Sequence, residues 1–274
     1  MSGADRSRLS PLAASYDHVL LDLDGCVYVG DEPTPGAVRA ITALREAGKG
    51  VAFVTNDARH AGEDYVRKLW RLGFRASLEE VVTVGGALQH VLAEAEQWRA
   101  AYVVGAPAIH RHVDEAGVRI VNGRDVPAAD VVVVAAHDDL RYDELRGAVQ
   151  AVLAGAGLVC AGRDKTFPMP DGPWPGTGAI VAAVEEATGA VAVNVGKPAA
   201  QPFLTALDRL GADPSGARAL VVGDRLDSDV AGARAAGLDG AIVLSGATSE
   251  AQARAADPAP VAIAPTLAEL LLRA

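Results

Sequence analysis

Four places in the chain set polar residues directly after short apolar runs. The first, Val-Leu-Leu-Asp-Leu-Asp-Gly, delivers Asp22, Asp24 and Gly25. Carboxylates two residues apart point the same way if the strand persists. So close a pair repels unless a cation or a shared proton separates them. A hard divalent cation meets that need, and Mg²⁺ is the usual choice where few protein ligands are offered. A strand-end Asx turn is the alternative for these residues alone. The second place, Val-Ala-Phe-Val-Thr-Asn, delivers Thr55 and Asn56. A hydroxyl and main-chain N–H groups where a helix starts form an anion site, or simply a helix cap. The third sets Lys197 between Gly196 and Pro198, in a chain whose 25 Lys and Arg residues include only four lysines. A compact ammonium supplies a point charge that arginine does not, although a solvated surface lysine has the same pattern. The fourth, Leu-Val-Val-Gly-Asp, is followed by further acids, so that Asp224, Asp227 and Asp229 lie within six residues. They complete a cation site or are solvated.

The elements that must position these residues are legible as apolar runs at 18–23, 51–54, 101–104, 131–135, 191–195 and 219–222. Each is four to seven residues long and rich in β-branched side chains. Between them, 36–47, 62–72, 199–210 and 229–236 carry apolar residues at helical spacing. Strands apolar on both faces, alternating with helices, predict a doubly wound α/β fold with a parallel sheet covered on both sides. In such sheets ligands bind beyond the carboxyl ends of the strands, where all four polar sets fall. The middle of the chain repeats the α/β pattern. It also holds a loop at 162–178 with four prolines, a length and composition typical of a functional loop or a domain edge. Residues 250–260, rich in Ala and Pro, read as a surface segment before a final helix.

The 274 residues carry a formal net charge of −10. That balance argues against a nucleic-acid binder and against an anionic membrane surface as partner. Mean hydropathy is +0.18, yet the longest apolar stretches, such as 131–136, fall far short of the ~20 residues of a spanning helix. The first residues lack the apolar core of a signal peptide. Cys26 and Cys160 show no metal-like spacing. Two such cysteines predict a reducing, cytoplasmic setting and no disulfide framework.

In combination and in this order, DxDG, TN, GKP and GDxxxxD resemble the haloacid dehalogenase-like (HAD) superfamily, and the likeness extends over essentially the whole chain. The stretches DEPTPGA, DDLRYDEL, RDKTFPMPDGPWPGTGAIVAAVE and VVGDRLDSDVAGARAAG are similar to the class IIA subfamily of p-nitrophenylphosphatases, phosphoglycolate phosphatases and glycerol-3-phosphate phosphatases. The resemblance implies a Rossmann-like core at 1–83 and 192–274, with an inserted α/β cap at 84–191. It implies Asp22 as nucleophile, forming an aspartyl-phosphate, and Asp24 as general acid–base. Mg²⁺ would be held by Asp22, the Asp24 main-chain carbonyl and Asp224. Gly25, Thr55, the Asn56 backbone and Lys197 would face the phosphoryl group, with Asp229 orienting Lys197 or a metal-bound water. Asp227 reads as a surface acid. The implied activity is hydrolysis of small phosphorylated metabolites, with glycerol phosphate or phosphoglycolate ahead of nucleoside monophosphates and sugar phosphates. A phosphomutase, a non-catalytic phospho-ligand sensor and a phosphoprotein phosphatase acting through a partner interface are the rival readings, the last without a docking motif in the sequence. Pairing of two copies through the cap is a further implication.

The sequence departs from its relatives at Asp57, where an added negative charge beside a phosphate site weakens anion binding unless it points away. In the cap loop, Arg163, Asp164, Lys165 and Trp174 are candidates for contact with the leaving group, against a reading as solvated loop charges and packing. Gly85-Gly86 reads as a turn leading into a helix, His110 and His112 as surface residues, and Asp138-Asp139 as a helix cap. Trp70 and Trp98 read as packing residues.

Overall fold

A buried parallel strand must be apolar on both faces, and the strand His18–Asp22 shows why. Val19 and Leu21 pack with Ile41, Leu44 and Phe53, whereas Leu20 turns to the opposite layer with Phe203 and Leu207. The same alternation divides Ala219–Gly223, whose Leu220 and Val222 join the first layer and Val221 the second. The computed structural model describes residues 8–123, 126–135, 137–169, 172–213 and 216–273.

The chain divides into two compact units. One comprises residues up to Thr55, Gly62–Val82 and everything from Lys197 onward; the other comprises Asn56–Ala61 and Thr83–Gly196. The first is built on a six-stranded sheet ordered Ile263–Ala264, Asp239–Val243, Ala219–Gly223, His18–Asp22, Gly50–Thr55, Val81–Thr83. His18–Asp22 pairs in parallel with both of its neighbours, bringing Leu21 level with Val222 and Asp22 level with Val54. The chain winds outward from this pair in opposite directions, through Gly50–Thr55 on one side and Asp239–Val243 on the other. The helix Ala37–Glu46 covers one face with Ala37, Ala40, Ile41 and Leu44, spaced three and four apart as a single buried stripe requires. Gln201–Arg209 covers the other through Phe203, Ala206 and Leu207.

The second unit has its own five-stranded sheet, ordered Val193–Asn194, Gly157–Cys160, Val131–Val134, Ala100–Val104, Arg119–Ile120, with every pairing parallel. Val131 and Val133 join one apolar layer and Val132 and Val134 the other. The architecture is therefore the expected doubly wound α/β fold with an inserted α/β unit.

Some elements differ from expectation for physical reasons. The apolar run 191–195 forms only the short strand Val193–Asn194 and pairs with Gly157–Cys160, so the second unit extends to Gly196 rather than to 191. The proline-rich loop folds as an antiparallel hairpin, Thr166–Met169 with Gly172–Pro175. Glu250–Ala255 is a short helix, because Ser249 and Gln252 cap it reciprocally and Ala253 anchors it. The helix expected at 229–236 opens with a wide π-type turn, Leu226–Val230. Asp138-Asp139 are not the cap of the next helix, which is Tyr142–Leu153, closed at its start by Arg141 and Glu144. Gly85-Gly86 lie inside the helix Val84–Glu94, whose cap is Thr83. Trp70 is 62 % exposed and donates its indole N–H to the Ala76 carbonyl instead of filling a core. Both cysteines are buried and free. No helix among the described residues is long and apolar enough to cross a membrane.

Candidate active site

The two central strands of the first sheet end side by side, and their ends carry the acids. Asp22 is the last residue of its strand, and Asp224 follows the last residue of Ala219–Gly223. Reversal of strand order at this pair opens the crevice in which open α/β sheets bind ligands. The π-type turn after Asp224 brings Asp229 back to the same place. Oxygens of Asp22, Asp224 and Asp229 all lie within 4.8 Å of one another. Lys197 completes the set. Its ammonium donates to Asp22 Oδ1, to Asp229 Oδ1 at 2.6 Å and to the Val54 carbonyl at 3.3 Å. The lysine is only 4 % exposed, which excludes a solvated surface role.

Asp224 is gripped by a loop that the motif reading did not include. Its Oδ2 accepts the Ala247 N–H at 2.6 Å, and its main-chain carbonyl accepts the Thr248 N–H at 3.0 Å. Two glycines press on the carboxylate. A Cβ at Gly246 would strike it, and one at Gly25 would lie 2.5 Å from Oδ2 on a backbone whose φ of +83° already favours glycine. The signal for this loop in the sequence is the small-residue run Ser245–Gly246–Ala247 directly after the apolar strand Asp239–Val243. Asp229 Oδ2 accepts the Arg225 N–H at 3.1 Å, so both of its oxygens are committed.

Electrostatics follow from this packing. Burial pushes the Asp22 carboxyl well above the usual carboxylate range; the Lys197 ammonium opposes the shift, and Asp229 and Asp224 reinforce it. Burial likewise raises Asp224, opposed by the Ala247 N–H. Burial disfavours the Lys197 ammonium, but Asp22 and Asp229 outweigh it and hold the lysine above its ordinary value. With all three carboxylates ionised, as metal binding requires, one ammonium leaves the cluster two charges short of neutrality. A divalent cation on oxygen ligands removes that deficit, so the donor set fits Mg²⁺.

The other expected site residues fall as follows. Asp22 and Asp24 do not share a strand face. The strand stops at Asp22, and the chain then turns as the Leu23 carbonyl accepts N–H groups from Val27 and Tyr28, leaving Asp24 exposed. Its expected contribution to a metal is its main-chain carbonyl, which lies outside a set of side-chain carboxylates; the third carboxylate of the cluster is Asp229. Thr55 ends the Gly50–Thr55 strand and is buried, and Asn56 follows it. Asp57 is engaged by Arg59 through Nε and Nη2, both at 2.9 Å, which neutralises the extra charge. Asp227 is exposed and lies 3.4 Å from the Arg225 guanidinium. Arg163 is not a free loop charge: it grips Glu185 through two nitrogens, at 2.8 and 3.1 Å, and also reaches the Ala192 carbonyl. Lys165 is exposed, Asp164 half-buried, and Trp174 lies on the hairpin. His112 is no surface residue, since its side chain is 13 % exposed and Nδ1 meets Gln89 Oε1 at 2.8 Å; His110 is half-buried.

An acid-and-lysine cluster at the switch point of a doubly wound sheet defines a class of hydrolase. Residues 19–119 match the family described as haloacid dehalogenase-like hydrolase, and residues 194–270 match its HAD-hydrolase-like companion. The D-glycerol 3-phosphate phosphatase of Mycobacterium tuberculosis is 37% identical over 251 residues, covering 91% of this chain and 69% of its own. An acid sugar phosphatase of Staphylococcus aureus is 32% identical, covering 73% of this chain and 76% of its own. The crystal structure of a glycerol phosphate phosphatase from M. tuberculosis in complex with magnesium superimposes with a TM-score of 0.88 at 36% identity, over 96% of this chain and 78% of that one. This chain belongs to the haloacid dehalogenase-like hydrolases.

Proposed function

We propose that this protein is a Mg²⁺-dependent phosphatase of small phosphorylated metabolites, with glycerol phosphate the favoured substrate. The observation that carries the reading is the buried set of three carboxylates with a single ammonium, poised at the carboxyl edge of the sheet. The named relatives, a glycerol 3-phosphate phosphatase and an acid sugar phosphatase, support the substrate class.

In this reading Asp22 attacks phosphorus while the P–O(ester) bond breaks, and Asp24 gives its proton to the departing alkoxide. Asp24 then takes a proton from water, whose oxygen attacks the aspartyl-phosphate, releasing phosphate and regenerating the Asp22 carboxylate. Lys197 holds Asp22 in place and neutralises charge as the phosphoryl group transfers. Thr55 and the main-chain N–H of Asn56 hold phosphoryl oxygens, and Gly25 lets the chain pass close to Asp224. Mg²⁺, held by Asp22, Asp224 and the Asp24 carbonyl, would supply charge neutralisation on the nucleophile and the phosphoryl oxygens. Asp229 positions Lys197.

The first unit acts as the catalytic core and the second as its cap, with Asp164, Lys165 and Trp174 as candidates for leaving-group contact. Arg163 is assigned to the Glu185 clamp. Two buried free thiols are consistent with a reducing, cytoplasmic setting. Pairing of two copies through the cap has in its favour the exposed Val191 and Val193 at the edge of the second sheet.

The test is phosphate release from glycerol phosphate, phosphoglycolate, sugar phosphates, nucleoside monophosphates and p-nitrophenyl phosphate, with Mg²⁺ and with EDTA. Turnover that needs Mg²⁺ and disappears in Asp22→Asn is expected, with glycerol phosphate the best substrate. No release from any ester overturns the phosphatase in favour of a sensor; phosphate passed to a sugar instead of water overturns it in favour of a mutase.

A further inference from the structure

The second unit contains a cavity of about 660 Å³ that the proposed chemistry does not use. Its place is not arbitrary. The second sheet also reverses its strand order, between Ala100–Val104 and Val131–Val134. The cavity is lined by Gly105 and Ala106 after the first of these strands and by His137 after the second, so it occupies that sheet's own switch point.

His110, His137 and Glu144 face into it. His137 Nε2 is buried, makes no hydrogen bond among the described residues and lies 3.6 Å from Glu144 Oε1. That separation is too long for a hydrogen bond. It is close to the roughly 3.3–3.5 Å between two ligands that share one tetrahedral zinc ion. Glu144 is oriented for this, because its Oε2 accepts the Arg141 N–H at 2.8 Å and leaves Oε1 toward His137. His110 lies on the same wall and hydrogen-bonds through its ring to the Gly105 carbonyl, while burial lowers its pKa and favours the neutral ring. A ring nitrogen tied to a carbonyl leaves the other nitrogen's lone pair available, which is how metal-binding imidazoles are held.

Charge selects a cation over an anion. Arg59 is already paired with Asp57, and Arg141 lies 3.2 Å from Asp143. The remaining charged groups on the wall are Asp138, Asp139 and Glu144, all acidic. Imidazole nitrogen favours zinc-like ions, whereas the all-oxygen set of the first unit favours magnesium. The three ligand atoms are less gathered than those of Asp22, Asp224 and Asp229, the only set within 4.8 Å among the described residues, so a bound ion would have to draw them together.

We propose that His110, His137 and Glu144 form a second metal site, one that takes a divalent transition-metal ion such as Zn²⁺. The experiment is Zn²⁺ binding by calorimetry with Mg²⁺ in excess, on the full chain and on Asp224→Asn, His137→Ala and Glu144→Gln. Co²⁺ spectra serve as a second readout, and circular dichroism confirms that each variant folds. One equivalent of Zn²⁺ retained in Asp224→Asn, with nitrogen-ligand visible bands for Co²⁺, is expected. Affinity in His137→Ala and Glu144→Gln should fall by at least the roughly 10–100-fold that loss of even an outer partner costs a metal site. Zinc binding that vanishes in Asp224→Asn while surviving in the two cavity variants overturns the proposal, as does the absence of a zinc equivalent in the unaltered chain.

Discussion

Lys197 ties together carboxylates that lie 175 and 32 residues away in the chain, and it does so from a buried position. Removing one member of a buried ion set leaves its partners uncompensated, which costs about 3–5 kcal/mol. Lys197→Met should therefore lower metal-free stability by that order, measured by urea unfolding. With Mg²⁺ present it should still depress kcat by on the order of 10²–10³, the usual effect of losing a preorganised charge in the transition state. Lys197→Arg is expected to fail as a substitute, because a planar guanidinium does not fit a pocket shaped for a point charge touching Asp22, Asp229 and the Val54 carbonyl. An arginine variant with unaltered kcat would show that only net charge matters there.

At the scale of elements, the loop after Asp239–Val243 is as much a part of the site as the motif-bearing strand ends. It fixes the Asp224 carboxylate through Ala247 and leaves no room for a side chain at Gly246. Gly246→Ala should shift Asp224 and raise the Mg²⁺ concentration for half-maximal activity by roughly 10–100-fold, the range seen when support of a metal ligand is lost. Overpacking of this kind also destabilises by about 1–3 kcal/mol. Activity titrated against Mg²⁺ separates the two effects: a variant that loses stability but keeps its metal dependence would mean the loop merely packs.

For the whole molecule, the site's carboxylates and ammonium all belong to the first of two units that have separate apolar layers. A ligand bound only by the folded form stabilises by about 2.7 kcal/mol at a hundred times its Kd. Mg²⁺ should therefore increase hydrogen-exchange protection around Asp22, Asp224–Asp229 and Gly246, while the strands Val131–Val134 and Ala100–Val104 stay unchanged. Equal protection gained in those strands would show that the two units unfold together.

Local chemistry made much of this legible. Strands buried on both faces must be apolar throughout, so the central strands 18–22 and 219–223 stand out in the sequence, and the acids at their ends do too. Motif order, in turn, carried the family. Other features depend on contacts between distant segments that no local pattern encodes. The short run at 193–194 is a strand only because Gly157–Cys160 lies beside it. Asp24 leaves the strand because a turn closes on the Leu23 carbonyl, and Asp229 enters the carboxylate cluster because a π-type turn folds it back onto Lys197. Arg163 looked like a loop charge until the fold set Glu185 against it. Sequence by itself determined which residues could do chemistry and on which kind of sheet; only tertiary structure decided which of them meet, because side-chain partners are chosen by the packing of whole elements.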